Sequence, residues 1–200
     1  MSTAMIDESN VHTAEQPHRH RISVQDYHRM VEVGLLGADA HIELIDGAIF
    51  DLAPTGEAHR ATVRRLEQRL RRAIAAQGIV VRNTPIRLGA DSEPQPDLAV
   101  LRARPDGYRT AAPGAADTLL VIEVSDSTWH YDHDTKVPSY ARHGIPEVWL
   151  FDLTSATVHF FRGLTGAHYA DEAATENPGL TFLPGLTDVA VDLAEVLPRA

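Results

Sequence analysis

Leu119-Leu120-Val121-Ile122-Glu123-Val124-Ser125 is an apolar run with one carboxylate set into it. Hydrophobicity that is continuous rather than alternating, over the length of one strand, reads as a central strand covered on both faces. A charged carboxylate in such a place costs several kcal/mol unless it is paired or bound to a metal. Glu123 therefore needs a partner. Upstream, Pro96-Asp97-Leu98-Ala99-Val100-Leu101 is a second apolar run with a carboxylate at its start. Downstream lies Lys136, the only lysine; the other seventeen of the eighteen basic side chains are arginine. Lysine is a compact ammonium on a flexible stem and arginine a planar fork, so the two do not substitute freely.

Working outward, the pattern predicts further elements on both sides. Ser23-Val24-Gln25-Asp26 resembles a capping box and opens a short helix over 24–33 that stops near Gly34. Asp46-Gly47 between apolar segments is a hairpin signal within 41–52. Val63, Leu66, Leu70, Ala73 and Ile74 form one stripe of a helix over 57–77 that Gly78 ends. His59, four residues before Val63, lies near that stripe. Strands are expected at 79–88, 97–102, 119–125 and 147–152, and a helix at 134–143 with Pro138 near its first turn. Segments 157–162 and 168–171 read as a hairpin, and 180–198 as a short closing extension.

The fold class is α/β, in the α+β sense: a mixed central sheet flanked by helices, with an N-terminal helix-hairpin and a C-terminal hairpin extension. Residues 1–21, polar and without periodicity, are expected to form a disordered tail, and 22–200 a single domain. At 200 residues one domain buries roughly 70% of its unfolded surface, enough for a core without staples.

Composition narrows the function classes. No cysteine is present, which excludes disulfides and cysteine metal sites. No stretch approaches the roughly 20 apolar residues of a membrane span, and 1–17 carries no signal-peptide core, so a cytoplasmic protein is expected. A net charge of −10 argues against a protein that coats nucleic acid. It leaves room for an enzyme that touches DNA transiently through clustered basic groups. Arg60, Arg64, Arg65, Arg69, Arg71 and Arg72 on one helix, with Glu67 as the only acid near them, are such a cluster or else a solvated face.

Two acids on neighbouring strands and a lysine on the next helix are the parts of a metal-dependent phosphodiesterase site. Hard oxygen ligands suit Mg²⁺ or Mn²⁺ shared by Asp97 and Glu123. Lys136 would orient an attacking water or neutralise phosphate charge. Tyr140, one turn after Lys136, shares its face and either packs on the sheet or hydrogen-bonds within the site. A structural salt bridge between Glu123 and Lys136, with Asp97 capping a turn, is the competing reading.

Pro96-Asp97 followed by Ile122-Glu123-Val124-Ser125 resembles the PD-(D/E)XK nuclease pattern. The longer string resembles the Uma-type restriction endonuclease family: Val121 to Thr128, Asp132, Lys136, Tyr140-Ala141, Gly144 to Trp149 and Asp152. Glu43 to Gly47, His59 and Leu183-Pro184-Gly185-Leu186 match it too. The resemblance implies a restriction-endonuclease-like fold and Mg²⁺-dependent endonucleolytic hydrolysis of DNA, most simply by a homodimer. It implies Asp97, Glu123 and the Val124 carbonyl as metal ligands. Glu43 and His59 would complete the metal site or handle protons. The superfamily's lysine usually stands two residues after the acid, where this chain has Ser125; Lys136 takes its place from the next helix. The alternative function is a catalytically silent nuclease-fold scaffold that binds protein or nucleic acid.

Overall fold

The structure is a computed structural model that describes residues 19–37 and 41–197. The expected tail therefore lies largely outside the described residues. Its last residue, Arg21, pairs with Asp91 at 2.7 Å.

Helix α1, Val24–Glu32, starts at Ser23, whose hydroxyl accepts from the Asp26 N–H at 3.0 Å. Strands β1, Ile42–Ile45, and β2, Ala48–Asp51, form the expected hairpin. Asp46 and Gly47 both hold positive φ, 49° and 76°, as a type I′ turn requires. Helix α2, Glu57–Ile74, buries His59, Thr62, Val63, Leu66, Leu70 and Ile74 along one stripe. It is shorter than expected. Ala75, at φ 50° and ψ −116°, ends it at positive φ, and Gly78 instead opens the next strand.

The central sheet has six strands in the order β3-β4-β5-β6-β7-β8. They are β3 (Gly78–Arg82), β4 (Leu98–Arg102), β5 (Thr118–Ser125), β6 (Val148–Asp152), β7 (Thr157–Thr165) and β8 (His168–Thr175). All neighbours are antiparallel except β5 and β6, which run parallel. A parallel pair needs a crossover. Here it is helical: α3 (Trp129–Tyr131), a π-helical turn (Asp132–Lys136) and α4 (Val137–Arg142). The helical stretch thus begins before the expected residue 134, so Pro138 lies inside it, directly after the π-helical turn, rather than near its first turn. Strands β9 (Leu180–Phe182) and β10 (Ala190–Asp192) make a separate two-stranded ribbon.

Every residue of β5 is buried. Leu120, Ile122 and Val124 face a core shared with Leu66, Leu70 and Ile74 of α2. Val121 faces the opposite core, with Val137 and Tyr140 of the crossover. Each such aliphatic side chain contributes about 1.5–3 kcal/mol on burial. The period-two alternation of a strand puts Glu123 on the crossover side.

Candidate active site

Two registers bring the acids together. Leu98 pairs with Ile122 across the antiparallel β4–β5 ladder, so Asp97, just ahead of β4, lies beside the end of β5. Its Oδ2 accepts from the Val124 N–H at 2.8 Å and from His59 Nε2 at 3.0 Å. The Asp97 N–H in turn points to Glu123 Oε2 at 3.4 Å. Asp97 and Glu123 are therefore adjacent carboxylates, held by backbone on one side and α2 on the other.

Lys136 reaches this pair from the crossover. Its Nζ is 2.7 Å from Glu123 Oε1 and 3.3 Å from Glu43 Oε1. Tyr140 donates to the same Glu123 oxygen at 2.6 Å. The π-helical turn is what aims the lysine. Such turns are rare and concentrate at functional sites, and this one buries both Asp132 and Lys136. Trp129 stacked on His133, and His133 Nε2 3.6 Å from Glu172 of β8, tie the turn to the sheet.

Glu43 is the residue whose surroundings differ most from a hairpin acid facing solvent: it is fully buried. The isolated bridge between Leu44 and Glu93 draws β1 against the segment before Asp97. Glu43 Oε2 then accepts from the Gln95 N–H at 2.9 Å, and Oε1 from the Tyr131 hydroxyl at 2.7 Å. Tyr131 and Asp132 are site residues for which the sequence reading named no role. Asp132 accepts from Thr128 Oγ1 at 2.5 Å. Its spacing of four from Lys136 on a helix was the available signal.

Glu43, Glu123 and Asp132 thus gather around one ammonium, with Asp97 beside Glu123. Burial pushes the Glu123 carboxyl up to about 8; Lys136 opposes the shift, and Asp132, Asp97 and Glu43 reinforce it. Burial likewise raises Asp132, against Lys136 and Thr128. Lys136 stays charged: burial pulls its pKa down, but Glu123, Glu43, Tyr140 and Asp132 together hold it well above the ordinary value. Burial lowers the His59 pKa, but the hydrogen bond to Asp97 and the charges of Asp97, Asp132 and Asp126 together more than offset that, for a net rise. Tyr140 and Tyr131, both raised chiefly by burial, remain donors.

Among the described residues no set of three or more His, Asp or Glu side chains forms a closed metal cage. A two-carboxylate site is a different case. Mg²⁺ characteristically takes one or two protein carboxylates and completes its shell with water and substrate phosphate. Asp97 and Glu123 fit that donor set. Among the described residues no donor reaches Asp97 Oδ1, while Glu123 Oε2 meets only the distant Asp97 N–H. Among the described residues the buried His59 Nδ1 has no hydrogen-bond partner. The sequence-expected set of Asp97, Glu123, Lys136, Tyr140, Glu43, His59 and Val124 therefore converges at one end of the parallel strand pair.

This mixed sheet, with a helical crossover between its parallel strands and an acid pair at their ends, defines a nuclease-like fold. The chain belongs to the Uma2 family, described as "Putative restriction endonuclease", whose profile matches residues 24–194. A crystal structure described as a putative nuclease belonging to DUF820, from Anabaena variabilis ATCC 29413, is similar to it with a TM-score of 0.64 and 15% identity. That similarity covers 88% of this chain and 97% of the Anabaena chain. No curated protein matches this chain. No helix among the described residues is long and apolar enough to cross a membrane.

Proposed function

We propose that this protein is a divalent-metal-dependent endonuclease that hydrolyses phosphodiester bonds in DNA. The observation that carries the reading is Lys136. It arrives from the crossover with its Nζ 2.7 Å from Glu123, which itself adjoins Asp97. Asp97, Glu123 and the Val124 carbonyl would hold Mg²⁺ or Mn²⁺. When bound, the ion supplies Lewis-acid polarisation of the phosphate and a water of lowered pKa. Lys136 supplies a fixed positive charge beside the scissile phosphate, in a setting where burial strengthens its field. Tyr140 and Glu43 hold that ammonium and its carboxylate in register. His59 is fixed by Asp97 through Nε2, and its Nδ1 is available to receive or deliver a proton. A homodimer belongs to this reading, because a duplex presents two strands to be cut.

One observation favours a silent scaffold instead. Lys136 is only 3% exposed and already bound by two carboxylates, as a purely structural ion pair would be. A cleavage assay, with metal binding measured by calorimetry, separates the two. Supercoiled and single-stranded DNA are incubated with protein in Mg²⁺ and in Mn²⁺, beside Asp97→Asn, Glu123→Gln and Lys136→Met. The nuclease reading expects cleavage that EDTA stops and that each substitution reduces by at least about a hundredfold. Absence of both cleavage and metal binding in the wild type supports the scaffold.

A further inference from the structure

The arginines of α2 do not act as one ridge. Arg60 and Arg64, one helical turn apart, open with Arg82 of β3 onto the cleft that also holds His59 and Asp97. That cleft encloses about 620 Å³. Arg65, Arg69, Arg71 and Arg72 do not line it. Nor is Glu67 the only acid near these arginines. Glu67 takes Arg71 and Arg82, while Glu57 takes Arg60 and Arg64.

The geometry at Glu57 is distinctive. Its Oε2 accepts from Arg60 Nε at 3.2 Å and from an Arg60 terminal nitrogen at 3.0 Å. Its Oε1 accepts from Arg64 at 2.8 Å. Arg60 thus grips one oxygen of the Glu57 carboxylate through two nitrogens and Arg64 the other through one, and both arginines line the cleft. The same planar forks fit phosphate oxygens as well as carboxylate. The grip is exchangeable, because the Glu57 side chain is 68% exposed and those of Arg60 and Arg64 each 50%. Ion pairs so open to water are worth roughly 0–1 kcal/mol. A first-turn acid also favours the helix N-terminus by its charge. That role needs no arginine, so it does not account for the double clasp.

We propose that Arg60 and Arg64 bind a backbone phosphate of the nucleic-acid strand next to the scissile one. In the free protein Glu57 occupies that phosphate site as a built-in competitor. The identity of the ligand rests on the nuclease reading above, since the cleft is shared with Asp97. The occupancy by Glu57 stands on geometry alone.

The test is fluorescence anisotropy with a fluorescein-labelled single-stranded oligonucleotide in EDTA, across a salt series, so that binding is read without cleavage. The variants are Glu57→Gln, Arg60→Gln and Arg64→Gln, with Arg65→Gln as control and thermal melts to confirm folding. Each cleft-arginine variant should bind several-fold more weakly and lower the slope of log K against log salt by about 0.7. Glu57→Gln should bind several-fold more tightly, a gain that a structural role for Glu57 does not produce. Arg65→Gln should leave both affinity and slope unchanged. Unchanged slopes in Arg60→Gln and Arg64→Gln would overturn the phosphate site, as would a wild type that binds no oligonucleotide at low salt. Weaker or equal binding by Glu57→Gln would overturn the competitor. Failure of the cleavage assay with these binding changes intact would remove the nuclease reading and leave this site standing.

Discussion

Lys136 Nζ lies 2.7 Å from Glu123 Oε1, and the two side chains are 4% and 3% exposed. Removing one member of a buried pair leaves an uncompensated charge, at a cost of about 3–5 kcal/mol. Lys136→Met should cost that much in metal-free protein above pH 8, where Glu123 is ionised. At lower pH the cost should shrink, because Glu123 is then protonated in the wild type too and the ion pair is already gone. The double variant Lys136→Met, Glu123→Gln should recover part of the loss, since neither replacement carries a charge. Urea denaturation in EDTA at pH 6 and pH 9 measures both. A cost below about 1 kcal/mol at pH 9 would mean that the pair does not hold the site together.

If Asp97 and Glu123 share a divalent ion, metal should stabilise the fold. A ligand bound only by the native state adds about 2.7 kcal/mol at a hundred times its dissociation constant. Thermal melts in EDTA and in rising Mn²⁺ should therefore diverge for wild type. They should coincide for Asp97→Asn and for Glu123→Gln. Equal Mn²⁺-induced shifts in wild type and both variants would place the ion elsewhere.

Gly185 sits at φ +69°, and a β-carbon there would stand 2.7 Å from Leu119 Cδ2. Leu119 is 2% exposed and belongs to the core over β5, so it cannot yield freely. Gly185→Ala should then cost about 1–3 kcal/mol from overpacking, plus the penalty of positive φ. Gly179 is the control, since it shares positive φ, +55°, but has nothing within 4 Å of the added carbon. Gly179→Ala should cost about 1 kcal/mol, the conformational part alone. Chemical denaturation of the two variants separates crowding from backbone strain. Equal losses would show that the Leu183–Leu186 turn relaxes.

Much of this arrangement is legible in the chain itself, and what is not has physical causes. Glu123 stands out because it interrupts an apolar strand and Asp97 because it heads one, and the hairpin at Asp46-Gly47 because only a few residues accept two positive φ angles in succession. The α2 stripe is a local periodicity. The burial of Glu43 depends on the Leu44–Glu93 bridge, a long-range pairing that local pattern does not encode. The π-helical turn over Asp132–Lys136 carries no composition of its own; tertiary contacts of Trp129 and His133 accompany it. Strand β8 runs on to Thr175 although the expected strand stops at 171. Its residues Asp171 to Ala174 are exposed, so they give no apolar alternation to read.

The acid cluster also predicts how stability should vary with pH. Glu123 is raised in the folded protein from an ordinary value of 4.5 to about 8, mainly by burial. A raised carboxyl binds its proton more tightly when folded than when unfolded. The stabilisation it confers is thus fully present below the unfolded value and is lost as pH rises through the folded one. In EDTA, wild-type stability should fall between about pH 5 and pH 8 relative to Glu123→Gln, which has no carboxyl to titrate. A divalent ion should oppose that trend, because only the ionised carboxylate ligates and binding strengthens as the proton leaves. Denaturation midpoints of wild type and Glu123→Gln, across that range with EDTA or Mn²⁺, test both signs. Parallel curves in EDTA would show that Glu123 is already ionised at acidic pH and that Lys136 alone compensates it.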